Sequence, residues 1–221
     1  MRWRFRNGHA SLREVLRVMG WMAQYTLGTS NPSAVTAKAL SLVKGESEAA
    51  FIEECERWFA EAVVPRISPE ARSEVADRKR DGYRCAILSA ATPYIAGCVA
   101  REFGIEDTIC SKLDVRNGVF TGKLVGELCY GQTKVSRAES WALSQGINLE
   151  ASAFFSDSDS DLPMLERGEE PVVVNPDPRL LWHAKRHRWP VHTWEAQKLP
   201  KPHTRKSTGA VAVNAGTDAG R

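Results

Sequence analysis

Three aspartates lie at alternate positions directly behind an apolar run in the stretch "FFSDSDSDLPML". They are Asp157, Asp159 and Asp161. Two ionised carboxylates about 5 Å apart repel each other by roughly 3 kcal/mol at an effective dielectric constant near 20. A buried cluster of this kind therefore requires a proton or a cation, and Mg²⁺ is a hard divalent cation that prefers oxygen ligands. The stretch predicts a metal site at the end of a strand.

A hydroxyl group and an amine accompany these acids elsewhere in the chain. Ser89 follows the apolar run "CAIL", and Lys134 lies in "YGQTKVSR". A cation, a lysine and a hydroxyl that converge on one spot are suited to hold a phosphoryl group. The residues alone leave a purely structural interpretation open, in which Asp157 and Asp161 cap the next helix. Ser89 would then be another helix cap, and Lys134 a solvated helix residue.

The elements that position these residues change character along the chain. Up to Gly82 the apolar residues recur at helical spacing. Beyond it, short apolar runs such as "RCAILSA", "ASAFFSDS" and "PVVVN" alternate with helical segments. This alternation predicts an α/β fold with a parallel sheet whose strands end at one common edge. The expected helices are Ser11–Leu27, one that begins at Asn31–Ser33, Ser47–Ala62, one with Ser68 as cap and Pro69 at its first position, and residues 92–105, 132–147, 161–168 and 178–188.

A hairpin interrupts the alternation of strands and helices. The segment "SKLDVRNGVFTGKLVG" alternates apolar and polar residues on both sides of Asn117-Gly118. This dipeptide is the strongest short hairpin signal, because both residues adopt positive φ readily. A hairpin over residues 111–126 is therefore expected.

The charge distribution excludes some classes of function. The chain has 221 residues, 43% of them hydrophobic, and a net charge of +3. Residues 195–221 hold five Lys or Arg and two acids, so the other 194 residues are neutral, and nucleic acid is not an expected partner. No uncharged run reaches the length of a membrane span. Five scattered cysteines without metal-ligand spacing indicate reduced thiols and a cytoplasmic protein.

Three motifs, in this order, carry a resemblance to a known family. The segments "LSA", "GQTK" and "FFSDSDSDLPMLE" followed by "PVVVNPDPRL" are similar to motifs two, three and four of the haloacid dehalogenase (HAD) superfamily of phosphohydrolases, nearest to its phosphoserine phosphatase-like subfamily IB. The resemblance implies a Rossmann-like parallel sheet with a helical (C1) cap. It places the cap in residues 1–75, the core with its hairpin in residues 76–194, and a flexible tail in residues 195–221. The implied function is Mg²⁺-dependent hydrolysis of a small phosphorylated metabolite.

The resemblance also implies a role for each matching residue. Ser89 would donate a hydrogen bond to the phosphoryl group, and Lys134 would neutralise its charge. Asp157 would bind Mg²⁺ directly. Asp161 would hold a metal-bound water or pair with Lys134.

Other residues near these motifs receive no catalytic role. Asp159 has no counterpart in the family pattern and is interpreted as a solvated neighbour. Ser160 stands where the subfamily usually has Asn. His183 and His187 lie four residues apart among arginines and are interpreted as a solvated basic face rather than as metal ligands.

One expected part of the site is not found in the printed sequence. The family's nucleophile is an aspartate in a DxDGT-like motif on the first, central strand, and no such motif precedes Ser89. We expect a chain that is truncated at its N-terminus and lacks this strand, which would lie between the strands ending at Ser89 and Asp157. Such a chain is expected to be inactive as a phosphatase. The alternative is a non-catalytic regulatory protein that binds Mg²⁺ and phosphate.

Overall fold

The computed structural model describes residues 32–196, together with residues 8, 18 and 20. The expected helix Ser11–Leu27 and the tail beyond residue 196 lie outside the described residues. The helices are α1 (Pro32–Ser41), α2 (Glu48–Trp58), α3 (Pro69–Arg80), α4 (Pro93–Phe103), α5 (Gln132–Gln145), α6 (Leu162–Leu165) and α7 (Pro178–His187). The strands are β1 (Ala86–Ser89), β2 (Asp107–Cys110), β3 (Lys112–Arg116), β4 (Val119–Val125), β5 (Ala153–Ser156), β6 (Glu170–Val174) and β7 (Val191–His192).

Two helices begin with serine caps, of which the one at Ser68 was expected from the sequence. Ser47 accepts a hydrogen bond from Ala50 N–H at the start of α2, and Ser68 accepts one from Ala71 N–H at the start of α3. These bonds satisfy backbone donors that a helix cannot pair internally. Helix α2 ends at Trp58, four residues before the expected end at Ala62. The chain continues directly from it as a π-helical turn over residues 59–63.

Two groups of parallel strands confirm the expected α/β class. Strand β1 pairs in parallel with β2, and β5, β6 and β7 form a second parallel group in that order. Strand β2 was not expected from the sequence. Its four residues, "DTIC", lie between the end of α4 and the hairpin and are too few to show a strand period. The pairing with β1 is what makes this segment a strand.

The expected hairpin is confirmed and packs against the first helices. Strands β3 and β4 are antiparallel, and Asn117 and Gly118 form the turn with φ values of 51° and 75°. A small core joins the hairpin to α1 and its end. Its buried members are Leu40, Val43, Leu113 and Phe120.

A cavity of about 480 Å³ lies between β1 and β5. Among the described residues β1 pairs only with β2, and β5 pairs only with β6. Ile87, Leu88, Phe154 and Phe155 are among the lining residues, so the cavity is mainly apolar. The two sheets are therefore held together by side chains around the cavity rather than by a ladder between β1 and β5.

Arg78 forms one of these links. Its guanidinium donates hydrogen bonds to both carboxylate oxygens of Glu170, at 2.6 and 2.5 Å, and to Glu74 at 2.8 Å. The same group lies over the rings of Tyr83 and Phe155. Helix α3 is thereby connected to the start of β6.

Within the part of the chain that the structure describes, no helix has both the length and the apolar character needed to cross a membrane.

Candidate functional site

A buried ion pair joins two of the expected site residues. Lys134 Nζ lies 2.5 Å from Asp161 Oδ1, and the side chains are 8% and 10% exposed. Lys134 is in the first turn of α5, whereas Asp161 ends the 3₁₀ turn that follows β5. Of the two roles expected for Asp161, the structure shows the pairing with lysine.

Ser156 completes this pair and was not expected from the sequence. Its hydroxyl donates to Asp161 Oδ2 at 2.8 Å, and the residue is buried. Both oxygens of Asp161 therefore have partners, which a buried carboxylate requires. Ser156 also accepts a hydrogen bond from Ser158 N–H at 3.1 Å, so it fixes the chain as it leaves β5. The signal in the sequence that could have identified Ser156 is its position at the end of an apolar run, directly before Asp157.

Gly131 sets the path of the chain into α5. Its φ of 52° and ψ of −127° lie in a region that residues with a Cβ rarely adopt. Its carbonyl accepts a hydrogen bond from Lys134 N–H at 3.0 Å. The glycine therefore helps to place the lysine.

Ser89 is the last residue of β1, which among the described residues pairs with β2 and not with β5. Leu88, the residue before it, packs against the buried cluster of Val135, Ala138 and Met164, and Phe154 of β5 packs against the same cluster. This packing places the end of β1 beside the start of α5. The Ser89 hydroxyl accepts a hydrogen bond from Ala91 N–H at 3.1 Å, and among the described residues it has no hydrogen bond with Lys134.

Asp157 is the exposed acid of the site. It directly follows β5, and its side chain makes no hydrogen bond with any residue that the structure describes. Its carbonyl oxygen accepts a hydrogen bond from Asp177 N–H at 2.8 Å. The backbone of Asp157 is therefore fixed, while its carboxylate is available to a ligand.

Asp159 is less solvated than the sequence suggested. Its side chain is 32% exposed and lies 3.7 Å from His183 Nε2. Its N–H donates to Asp177 Oδ2 at 2.8 Å. The interpretation of Asp159 as a solvated neighbour is therefore wrong in part, and His183 contacts this acid rather than lying on an open face. His187 is exposed.

Ser160 lies beside the ion pair through its hydroxyl group. Its Oγ is 3.4 Å from Asp161 Oδ1 and 3.0 Å from Ser158 Oγ. Ser160 thus places a hydroxyl group where the subfamily usually has the side-chain amide of Asn. It provides one polar contact to the acid.

Cys129 is a nearby nucleophile that the environment keeps unreactive. The residue is fully buried, and burial raises the pKa of its thiol, although the charges of Arg137 and Lys134 act in the opposite direction. A thiol with a raised pKa is a poor nucleophile. We therefore assign Cys129 no catalytic role.

The residues present fit part of a magnesium site. In residues 32–196 no three His, Cys, Asp or Glu side chains form a group that could hold a metal ion. Mg²⁺, however, is commonly held by one or two carboxylates, with waters and phosphate oxygens as the remaining ligands. Asp157 matches that requirement in part, because its carboxylate is exposed and directly follows Ser156 in the chain. Asp161 already bonds Lys134 and Ser156 through its two oxygens.

Comparison with known proteins identifies the family. The family model of the haloacid dehalogenase-like hydrolases matches residues 1–166 of the sequence. The chain belongs to this family, as the order of the three motifs indicated.

Named relatives and a solved structure agree with this result. The chain is 33% identical over 184 residues to the phosphoserine phosphatase SerB1 of Mycobacterium tuberculosis (strain ATCC 25618 / H37Rv), covering 81% of this chain and 59% of that protein. It is 34% identical over 138 residues to a histidinol-phosphatase of Neisseria meningitidis serogroup C (strain 8013), covering 61% and 62%. The crystal structure of a protein of unknown function from Bordetella pertussis Tohama I superposes with a TM-score of 0.78 at 26% identity, covering 86% and 87%. The chain thus spans about three-fifths of the length of the two curated relatives.

Proposed function

We propose that this protein is a Mg²⁺-dependent phosphomonoester hydrolase of the phosphoserine phosphatase-like IB type. The observations that carry the proposal are the buried Lys134–Asp161–Ser156 group and the exposed carboxylate of Asp157, the residue that follows Ser156 in the chain. A fixed cation next to an available acid can bind a phosphate dianion and its metal together. The named relatives act on phosphoserine and histidinol phosphate, and these names support a small phosphorylated alcohol as the substrate class.

Each residue has a defined task in this proposal. Lys134 neutralises charge on the phosphoryl oxygens, and Asp161 with Ser156 holds its ammonium group in place. The Ser89 hydroxyl donates a hydrogen bond to a phosphoryl oxygen. Asp157 would hold Mg²⁺, and a bound Mg²⁺ would screen the charge of the phosphoryl oxygens.

The remaining features of the proposal concern the whole chain. We assign residues 1–75 to the cap that selects the substrate, residues 76–194 to the core and residues 195–221 to a tail; of these, the structure describes residues 32–196 and residues 8, 18 and 20. Free cysteines in the described residues fit a cytoplasmic compartment. Because no DxD motif precedes Ser89, we propose that residues 1–221 alone bind Mg²⁺ and phosphate without turning over an ester.

Titration calorimetry of the 221-residue protein tests this function. We expect MgCl₂ to bind, and inorganic phosphate to bind more tightly when Mg²⁺ is present. Asp157→Asn should abolish the Mg²⁺ heat, whereas Ser89→Ala should weaken phosphate binding alone. Asp81→Asn, which removes an exposed charge at the end of α3, is the matched control and should bind both ligands normally. Equal Mg²⁺ binding by the wild type and Asp157→Asn would contradict the proposal.

Turnover is tested separately with p-nitrophenyl phosphate. The wild-type chain is expected to release no nitrophenol. Hydrolysis that Asp157→Asn abolishes would overturn the claim that this chain alone is inactive.

A further inference from the structure

The first turn of α7 and the acid loop, residues 157–161, meet at one side chain. Asp177 caps α7, since its Oδ1 accepts hydrogen bonds from Arg179 N–H and Leu180 N–H, both at 2.9 Å. Its other oxygen, Oδ2, accepts a hydrogen bond from Asp159 N–H at 2.8 Å. The two oxygens therefore bind two different elements.

The backbone of the same residue holds a second point of the loop. Asp177 N–H donates to the carbonyl oxygen of Asp157 at 2.8 Å. Asp157 and Asp159, the residues on both sides of Ser158, are thus both hydrogen-bonded to Asp177. Asp177 lies 18 residues after Asp159 in the chain. A helix cap alone would need none of these contacts with the loop.

We propose that Asp177 is a positioning residue that sets the direction of the Asp157 carboxylate. Asp177 does not contact the ligand in this proposal; it acts through the backbone of Asp157 and Asp159. Residues that orient a metal ligand commonly change metal affinity 10–100-fold when they are replaced. The inference rests on the proposed function, because it assigns Asp157 to Mg²⁺.

The chemistry of the side chain allows the two roles to be separated. Asp177→Asn keeps the size of the residue but leaves only one acceptor oxygen for two sets of N–H donors. The amide can rotate to cap α7, because Asn is as good a cap as Asp. Its NH₂ group would then face Asp159 N–H and could not accept that bond.

The test measures Mg²⁺ affinity and amide exchange in the 221-residue protein. Asp177→Asn is expected to bind MgCl₂ about tenfold more weakly than the wild type. Hydrogen exchange at the Asp159 amide should become about tenfold faster, as a lost hydrogen bond allows. Asp177→Ser, another good capping residue, should behave in the same way because its single hydroxyl cannot serve both elements.

Ser68→Ala supplies the matched control. It removes the cap of α3, which lies outside the acid loop, and should lower stability without changing Mg²⁺ affinity. If Asp177→Asn only lowers stability and keeps its affinity within twofold, Asp177 is a helix cap and the inference is wrong. If the wild type does not bind Mg²⁺, or Asp157→Asn binds it equally well, the proposed function fails and the inference falls with it.

Discussion

Lys134 Nζ and Asp161 Oδ1 lie 2.5 Å apart although 27 residues separate them in the chain. The first turn of α5 and the turn after β5 are therefore joined by a buried ion pair. Removing two charges from water is unfavourable unless they meet with good geometry and further hydrogen bonds. Ser156 supplies one such bond to Asp161, so the pair is kept at this edge of the sheet in a defined arrangement.

Replacing one partner of this pair should destabilise the protein more than replacing both. Asp161→Leu and Lys134→Met each leave one buried charge without its partner, and each should lower the free energy of unfolding by about 3–5 kcal/mol. The double variant removes both charges and is expected to be more stable than either single variant. Urea unfolding curves measure all three. Effects of the single variants that simply add in the double variant would show that the two residues are not coupled.

Replacement of Gly131 should affect both the fold and phosphate binding. Gly131→Ala places a Cβ at φ 52° and ψ −127°, which should lower the free energy of unfolding by about 1–3 kcal/mol. Since Lys134 N–H bonds the Gly131 carbonyl, phosphate affinity should fall as well. Gly146→Ala is the control, because Gly146 also has positive φ but ends the same helix away from the site. It should lower stability only, and a loss of phosphate affinity in both variants would argue against a placing role for Gly131.

The Arg78–Glu170 link predicts a dependence of stability on pH. The hydrogen bond from Arg78 lowers the pKa of Glu170 below its ordinary value of 4.5. The ion pair therefore stabilises the fold above that pH and loses its contribution as the pH falls through the pKa of the folded state. The difference in unfolding free energy between the wild type and Glu170→Gln should be constant near neutral pH and shrink in acid.

Glu169→Gln is the control for this pH series. Glu169 is the exposed neighbour of Glu170, and its replacement should change stability by less than about 0.5 kcal/mol. A difference between the wild type and Glu170→Gln that grows in acid would contradict the assigned direction of the pKa shift.

The cavity between β1 and β5 predicts a stabilising substitution. Ala153→Val adds two methyl groups at its wall and a β-branched residue to a strand, and should raise the free energy of unfolding by about 1 kcal/mol. The same substitution at Ala142, which is 2% exposed in α5, should lower it by about 1–3 kcal/mol through overpacking. Urea unfolding distinguishes the two. A destabilised Ala153→Val protein would mean that the sheets close over this space in solution.

Local signals in the sequence were sufficient for much of the fold. The cap at Ser68 with Pro69 behind it and the Asn117-Gly118 turn depend on adjacent residues, so both could be predicted. The four residues of β2 could not, because only their pairing with β1 makes them a strand. The space between β1 and β5 has no local signal either; only the family resemblance indicated that the strands ending at Ser89 and Asp157 would have a strand lacking between them.

The residues of the site likewise divide into those that the sequence predicted and those that it did not. The pairing of Asp161 with Lys134 was one of the two roles that the family resemblance implied for this acid, and it is the one that the structure shows. Ser156 and Asp177 were missed because their roles depend on hydrogen bonds formed only after the chain has folded. Asp159 was misjudged for the same reason, since its solvation is decided by its neighbours in α7.

The most direct test of the central claim is a crystal of the 221-residue protein soaked with MgCl₂ and tungstate, a heavy-atom analogue of phosphate. The anomalous signal of tungsten locates the anion independently of any assumed site. We predict one peak within hydrogen-bonding distance of Lys134 Nζ and Ser89 Oγ, with Mg²⁺ beside the Asp157 carboxylate. Tungstate bound only at other surfaces, with this edge of the sheet free of it, would contradict the account.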